Sequence, residues 1–229
     1  MGFGWKPSEH VFLTVSALAR KHLIQAHPFT IASAAPEHEQ EHAWFNLVIR
    51  AMDGFTRDLV TYAKSHETVT IRLDGPYGSS HAIDMLRTCD NAVLVAGGSG
   101  IAVAYPMLWS LLHRTTDVES MRSKQNVTLI WIVNQADHVD WIGTSRLDEL
   151  KELGLNAILP PPTAEAGRPD VGMLVRDALD GLATVNPGPA STGVVISGPD
   201  GMNRVARNAC AQMAWEGRDV KVSVEKFGW

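Results

Sequence analysis

Between residues 91 and 112 the chain carries no charged side chain, and in the middle of that stretch stands Gly97-Gly98-Ser99-Gly100. An uncharged run of this kind is long enough for a membrane-spanning helix, which needs about 20 apolar residues. Glycines at its centre oppose that reading, because each costs a lone helix about 1 kcal/mol relative to alanine. An extended segment at residues 92–96, a turn at the glycines and a helix over residues 103–113 satisfy the same pattern without that penalty. The stretch therefore predicts the opening strand, turn and helix of a parallel α/β sheet, and no transmembrane segment is expected in the chain.

The residues that follow keep this alternation. A buried-looking strand is expected at 127–133, a helix at 145–153, a short strand at 157–159 and a proline-rich loop at 160–169. A helix at 171–182, a strand at 194–197, a helix at 203–216 and a closing strand at 220–225 complete it. The residues before it have a different grammar. Between residues 5 and 78 there are short β-rich pieces at 10–15, 29–33, 45–52 and 68–73, interrupted by one helix at 56–65. The expected fold class is therefore α/β plus β: a partial antiparallel β-barrel followed by a three-layer α/β/α domain with a parallel sheet, the boundary falling between residues 79 and 90.

Composition narrows the function classes. With 45% hydrophobic and 20% charged residues and a net charge of −5 scattered along the chain, this reads as an ordinary soluble globular protein. No basic stripe invites nucleic acid, so none is expected as a partner. Only two cysteines occur, Cys89 and Cys210, without CxxC spacing, which fits a reducing compartment better than a disulfide framework. The first residues carry Lys6 and lack an apolar run ending in small residues, so no signal peptide is expected.

In parallel sheets of this kind ligands bind beyond the carboxyl ends of the strands, where helix N-termini offer free N–H groups. Gly97, Gly98, Ser99, Gly100 and Ile101 stand at such a place, and a glycine turn there lets a pyrophosphate approach the backbone. The spacing is not a strict GxGxxG, since Val103 takes the third position counted from Gly98, and a plain strand-to-helix turn suits it equally. Two other motifs compete. His38-Glu39-Gln40-Glu41-His42 satisfies the zinc-protease pattern HExxH, yet it follows Pro36, is strongly charged and lacks an apolar face, so a solvated loop between strands is expected and no metal site. Gly97-Gly98-Ser99-Gly100-Ile101 is one glycine short of the serine-hydrolase elbow, whose tight turn needs that glycine.

Several further stretches carry a resemblance in common. His27-Pro28-Phe29-Thr30, Leu73-Asp74-Gly75-Pro76-Tyr77-Gly78, the glycine loop with Pro106, Gly167-Arg168-Pro169-Asp170, Ser197-Gly198-Pro199-Asp200-Gly201-Met202 and the ending Glu225-Lys226-Phe227-Gly228-Trp229 occur in this order. Together they resemble the flavin and pyridine-nucleotide motifs of fungal ferric-chelate reductases and NADPH oxidases, in the ferredoxin-NADP reductase-like superfamily. The resemblance implies an FAD-binding barrel over residues 1–80, incomplete at its N-terminus, and an NADP(H)-binding domain over residues 81–229. It implies FAD and NADPH as cofactors, a membrane haem domain as the partner that is fused in relatives, and ferric chelates as the final acceptor. The implied activity is NADPH-dependent ferric-chelate reduction, with electrons passing through FAD to a one-electron acceptor. The implied location is the cytosolic face of a membrane in relatives, and iron reduction within metal-ion transport is the implied process.

Residue by residue, the resemblance implies that His27, Pro28, Phe29 and Thr30 hold FAD, with His27 facing the phosphates and Thr30 the flavin ring. Arg50, Gly54, Phe55 and Thr56 precede a helix whose free N–H groups suit the FAD pyrophosphate. Their other reading is a capping threonine and a solvated arginine. NADP is assigned to Gly97, Gly98, Ser99, Gly100, Ile101, Asn134, Arg168, Ser197, Gly198, Pro199 and Met202. Ser197 stands where the family has a cysteine beside the nicotinamide, and Trp229 where it has an aromatic over the flavin. These two are the residues expected at the reacting atoms. Asn134 departs from the basic residue of NADPH-specific relatives. Strands that would precede Trp5 are not visible, which keeps open a truncated or degenerate flavoprotein with a regulatory or binding function, and the HExxH motif keeps open a metalloprotease.

Overall fold

The structure is a computed structural model that describes residues 4–35, 45–113, 125–185 and 188–226. Strand β1 (His10–Val15) buries Val11, Leu13 and Val15, the alternation of a strand with one face on a core. It pairs antiparallel with β2 (His27–Thr30) on one side and β3 (Ile71–Tyr77) on the other, giving the order β2-β1-β3. Pro76 sits within β3, which is tolerable on an edge strand because no ladder hydrogen bond is lost there.

Two expectations for this domain are corrected. Residues 45–52 form no strand; they touch the sheet through one bridge, Leu47 to Ile31. Phe45, Leu47 and Ile49 still pack on the domain's two small cores, so their alternation reported burial without a hydrogen-bonded ladder. The strand expected at 68–73 lies further on, and its register with β1 shifts between His10 and Phe12. Helix α1 (Phe55–Ala63) follows Gly54 and buries Phe55 in one core cluster with Leu13 and Val15.

The stretch at residues 79–90, where the domain boundary is expected, contains a helix, α2 (His81–Arg87). Its Ala82, Ile83 and Leu86 are buried against the second sheet, so it belongs to the following domain's core. Five parallel strands form that sheet: β4 (Asn91–Gly97), β5 (Asn126–Ile132), β6 (Leu155–Ile158), β7 (Thr192–Ser197) and β8 (Val220–Val224), in the order β6-β5-β4-β7-β8. Helix α2, α3 (Ile101–Leu112) and α4 (Thr144–Glu152) cover one face. Helices α6 (Val171–Val185) and α7 (Asp200–Trp215) cover the other, and a short helix α5 (Thr163–Ala166) interrupts the proline-rich loop.

Strand β4 is buried throughout: Leu94 and Ala96 enter one core, Val93 and Val95 the other. That double burial explains its unbroken apolar run. The chain steps outward from β4 to β5 and β6, then returns to pair β7 on the opposite side of β4. The crevice between β4 and β7 is thus the topological switch point, where open α/β sheets bind their ligands. Among the described residues, no helix is long and apolar enough to cross a membrane.

Candidate functional site

The glycine loop and the loop after β7 meet over this switch point. A Cβ at Gly100 would lie 1.9 Å from the Ser197 carbonyl oxygen. One at Gly97 would lie 2.6 Å from the Met202 sulfur and 2.8 Å from Pro199, and one at Gly198 would lie 2.5 Å from Met202 Cε. Three of the four glycines here, Gly97, Gly100 and Gly198, therefore serve the meshing of two loops. Gly98 differs: its φ is +54°, and a Cβ there would meet nothing within 4 Å. Gly98 is thus the glycine that faces open space, the cradle a phosphate can enter.

Neighbouring side chains hold both loops. Trp131 of β5 donates its indole N–H to the Gly98 carbonyl at 3.1 Å, and Asn203 of α7 donates Nδ2 to the Gly198 carbonyl at 2.7 Å. Ser197 is buried at the end of β7, and its Cβ lies 3.3 Å from the position a Gly100 Cβ would take, so it stands at the seam of the two loops. The structure thus brings together Gly97, Gly98, Ser99, Gly100, Ile101, Ser197, Gly198, Pro199 and Met202, all at the carboxyl ends of β4 and β7.

Asn134 lies beyond β5, and its Nδ2 donates to Thr163 Oγ1 at 3.0 Å. Thr163 N–H donates to Val133 O at 2.9 Å and Ala164 N–H to Asn134 O at 3.0 Å, which hooks α5 onto the end of β5. Arg168 is exposed just beyond α5, after Gly167 at φ +77°. Asp137 and Asp140 lie in the short turn that follows Asn134.

At the other domain, the His27 ring stacks on Phe55 at 4.0 Å with a 20° interplanar angle. Its Nε2 is buried without a hydrogen-bond partner. Burial, and secondarily His22, hold the His27 pKa below the ordinary histidine value. His22 is buried and fixed by Asp58 at 2.8 Å and Gln25 at 3.2 Å. The His22 hydrogen bond, followed by that of Lys21, holds the Asp58 carboxyl below its ordinary range. Phe29 packs partly buried toward Phe55, Pro28 pairs with Phe12, and Thr30 is nearly buried. The Phe55 side chain is core, which leaves its backbone N–H for a ligand. Thr56 Oγ1 accepts from Met52 N–H at 2.8 Å, which ties the preceding loop to the first turn of α1 and caps no helix N–H, and Arg50 is exposed.

Trp229 and the His38 to His42 motif lie outside the described residues. Among the described residues, no group of histidine, cysteine and acidic side chains is arranged to hold a metal. Both cysteines are buried, and burial pushes the Cys210 thiol up to about 11, so it is protonated and unreactive at neutral pH. A cleft of about 550 Å³ lies between α6 and the amino ends of β5 and β6, lined by Asn126, Thr128, Asn156, Leu174 and Ala178. That is the wrong end of the sheet for a doubly wound fold, so the switch point is the better site. Sequence reading missed Trp131, Asn203 and His22. Trp131 sits in an apolar strand and reads as core, and only its indole N–H, which needs a partner when buried, hinted at more.

Residues 1–81 match an FAD-binding domain family, and residues 89–158 match the ferric reductase NAD binding domain family. A probable ferric reductase transmembrane component of Candida albicans is 26% identical over 140 residues, covering 59% of this chain and 19% of that protein. The chloroplastic ferric reduction oxidase 7 of Arabidopsis thaliana is 26% identical over 144 residues, covering 56% of this chain and 18% of that protein. The chain thus matches about a fifth of these relatives' length. Among solved structures, a ferredoxin NADP+ reductase from Neisseria gonorrhoeae with bound FAD and NADP superposes with a TM-score of 0.64 at 19% identity, covering 96% of this chain and 87% of that one. A Plasmodium falciparum ferredoxin-NADP+ reductase gives 0.60 at 15% identity, with 96% and 84% covered. The chain thus carries an FAD-binding and a NAD-binding domain in series. It resembles ferric reductases over part of their length, with an FAD-binding and a ferric reductase NAD-binding domain in order along a ferredoxin-NADP reductase-like fold.

Proposed function

We propose that this chain is the reductase module of an NADPH-dependent ferric-chelate reductase, with a membrane haem domain as its partner and a ferric chelate as the final acceptor. The observation that carries this reading is the meshed pair of loops at the switch point, closed at Gly97, Gly100 and Gly198 and open at Gly98. FAD, when bound, supplies the conversion of a two-electron hydride into single electrons. The protein binds and orients. On one side, His27, Pro28, Phe29 and Thr30 present β2, with the unpartnered His27 Nε2 suited to a phosphate oxygen. Arg50 adds positive charge, and the backbone of Gly54, Phe55 and Thr56 adds the N-terminus of α1.

On the other side, Gly98, Ser99 and Gly100 take the nucleotide diphosphate, while Ser197 at the seam of the loops borders the nicotinamide. Asn134 and the exposed Arg168 take the adenosine end, where Arg168 favours the additional phosphate of NADPH. Trp229 is assigned as an aromatic cover of the flavin. No side chain needs to act as acid, base or nucleophile, and Ser197 is buried at the seam of the loops.

Anaerobic stopped-flow of the FAD-loaded chain tests the proposal. Bleaching of the flavin band by NADPH, faster than by NADH, followed by reoxidation with ferric citrate, is the expected result. A chain that binds FAD but is not reduced by either nucleotide is a binding or regulatory flavoprotein instead.

A further inference from the structure

We infer that Trp131 is a positioning residue of the nucleotide loop: its indole N–H orients the Gly98–Ser99 peptide so that the Ser99 N–H is presented to the diphosphate of the bound nucleotide. This rests on the reading of that loop as the nicotinamide-nucleotide site. Trp131 lies on β5 beside Ala96 of β4, and its fully buried side chain belongs to the core that also holds Ala96 and Ile101. The ring therefore sits beneath the point where the loop turns into α3. Its Nε1 donates to the Gly98 carbonyl at 3.1 Å, and the Ile101 N–H turns back to the same oxygen. An indole N–H is a donor with no acceptor function, and a buried one needs this oxygen.

The consequence follows from peptide geometry. In a trans peptide the C=O and N–H point in opposite directions. Gly98–Ser99 is not the cis bond of the described chain, which is Gly75–Pro76. A Gly98 carbonyl held into the core thus turns the Ser99 N–H outward. The outward side is the open one, since a Cβ at Gly98 would meet nothing within 4 Å, whereas Gly97 and Gly100 are closed by Met202, Pro199 and Ser197. Phenylalanine at position 131 would fill most of the same volume and offer no donor.

The test is the Trp131→Phe variant of the full chain, titrated calorimetrically with ADP-ribose, NADPH and NADH. All three dissociation constants should rise together by about tenfold, because the lost alignment acts on the diphosphate they share, while the FAD constant stays within about twofold. Leu129→Ala, a buried residue of the same strand and core, is the comparison for simple loosening and should leave ADP-ribose within about twofold despite its loss of thermal stability. Equal ADP-ribose binding by parent and Trp131→Phe overturns the inference, as does an equal loss in Leu129→Ala. If Trp131→Phe does not fold, the indole resonance of Trp131 in the unsubstituted chain decides: it should move on saturation with ADP-ribose, and an unmoved resonance overturns the inference. A parent chain that binds none of the three nucleotides removes the nucleotide-loop reading itself, and this inference with it.

Discussion

Gly98 and Gly100 flank Ser99 and should answer an added methyl group in different ways. At Gly100 the methyl meets the Ser197 backbone at 1.9 Å, a contact no rotamer change can relieve. Gly100→Ala should lose about 3 kcal/mol of stability in denaturant unfolding. Gly98→Ala should lose about 1 kcal/mol through its positive φ, and weaken ADP-ribose because the methyl stands on the open side. Equal losses of stability would mean the loops do not mesh as described. Ser197→Cys places a polarizable thiol at the seam, and flavin reduction by saturating NADPH should become several-fold faster, about 1 kcal/mol of barrier. An unchanged stopped-flow rate removes Ser197 from the reacting site. His27 carries a pH prediction. Its pKa lies below 6.5 in the folded chain, so its neutral form contributes stability that is fully present above pH 6.5 and lost as pH falls through the folded value. FAD phosphates favour the protonated ring, so binding FAD near pH 6 should take up a proton, seen as buffer-dependent heats that vanish in His27→Asn. Buffer-independent heats would place the phosphates elsewhere.

Helix α5 acts through the way it is tied. Its first residues hydrogen-bond to Val133 and Asn134, so the loop that carries Arg168 is fastened to the end of β5. Arg168→Ala should lower the NADPH/NADH ratio of kcat/KM by about tenfold, with the effect in NADPH KM and little change in kcat with NADH. A preserved ratio would assign discrimination to other residues. The tie also accounts for a helix inside the expected proline-rich loop at 160–169. A four-residue helix between prolines has too little periodicity to register, and what holds it is a pair of long-range backbone hydrogen bonds. Helix α2 escaped notice similarly: Ala82, Ile83 and Leu86 mark one buried face, but seven residues give that pattern less than two full turns in which to repeat.

The molecule keeps two sets of cores. Trp5, Val11 and Ile31, and beside them Leu13, Val15 and Phe55, belong to the antiparallel domain, while the larger clusters on the two faces of the parallel sheet contain no residue of that domain. Scanning calorimetry should therefore resolve two transitions, the smaller core melting first. FAD should raise mainly the lower transition and ADP-ribose mainly the upper, each by about 2.7 kcal/mol at a hundredfold excess over its dissociation constant. A single transition moved equally by both ligands would show that the two domains unfold as one.

What the amino-acid order determined by itself was mostly short-range. The uncharged run broken by glycines specified strand, turn and helix, because burial on both faces of β4 demands an apolar run and the turn demands residues without a Cβ. The spacing of apolar residues likewise announced β5, β7, α3, α6 and α7 to within a few residues of where they stand. Pairing was decided only by the tertiary structure. Residues 45–52 alternate like a strand yet make one bridge, since alternation records which side chains are buried and says nothing about whether a neighbouring backbone is within hydrogen-bonding reach. The site divides in the same way. Its glycines were visible in the sequence, but which of them serves packing and which faces the ligand depended on Ser197, Pro199 and Met202 arriving from a strand whose place beside β4 is set by the sheet order.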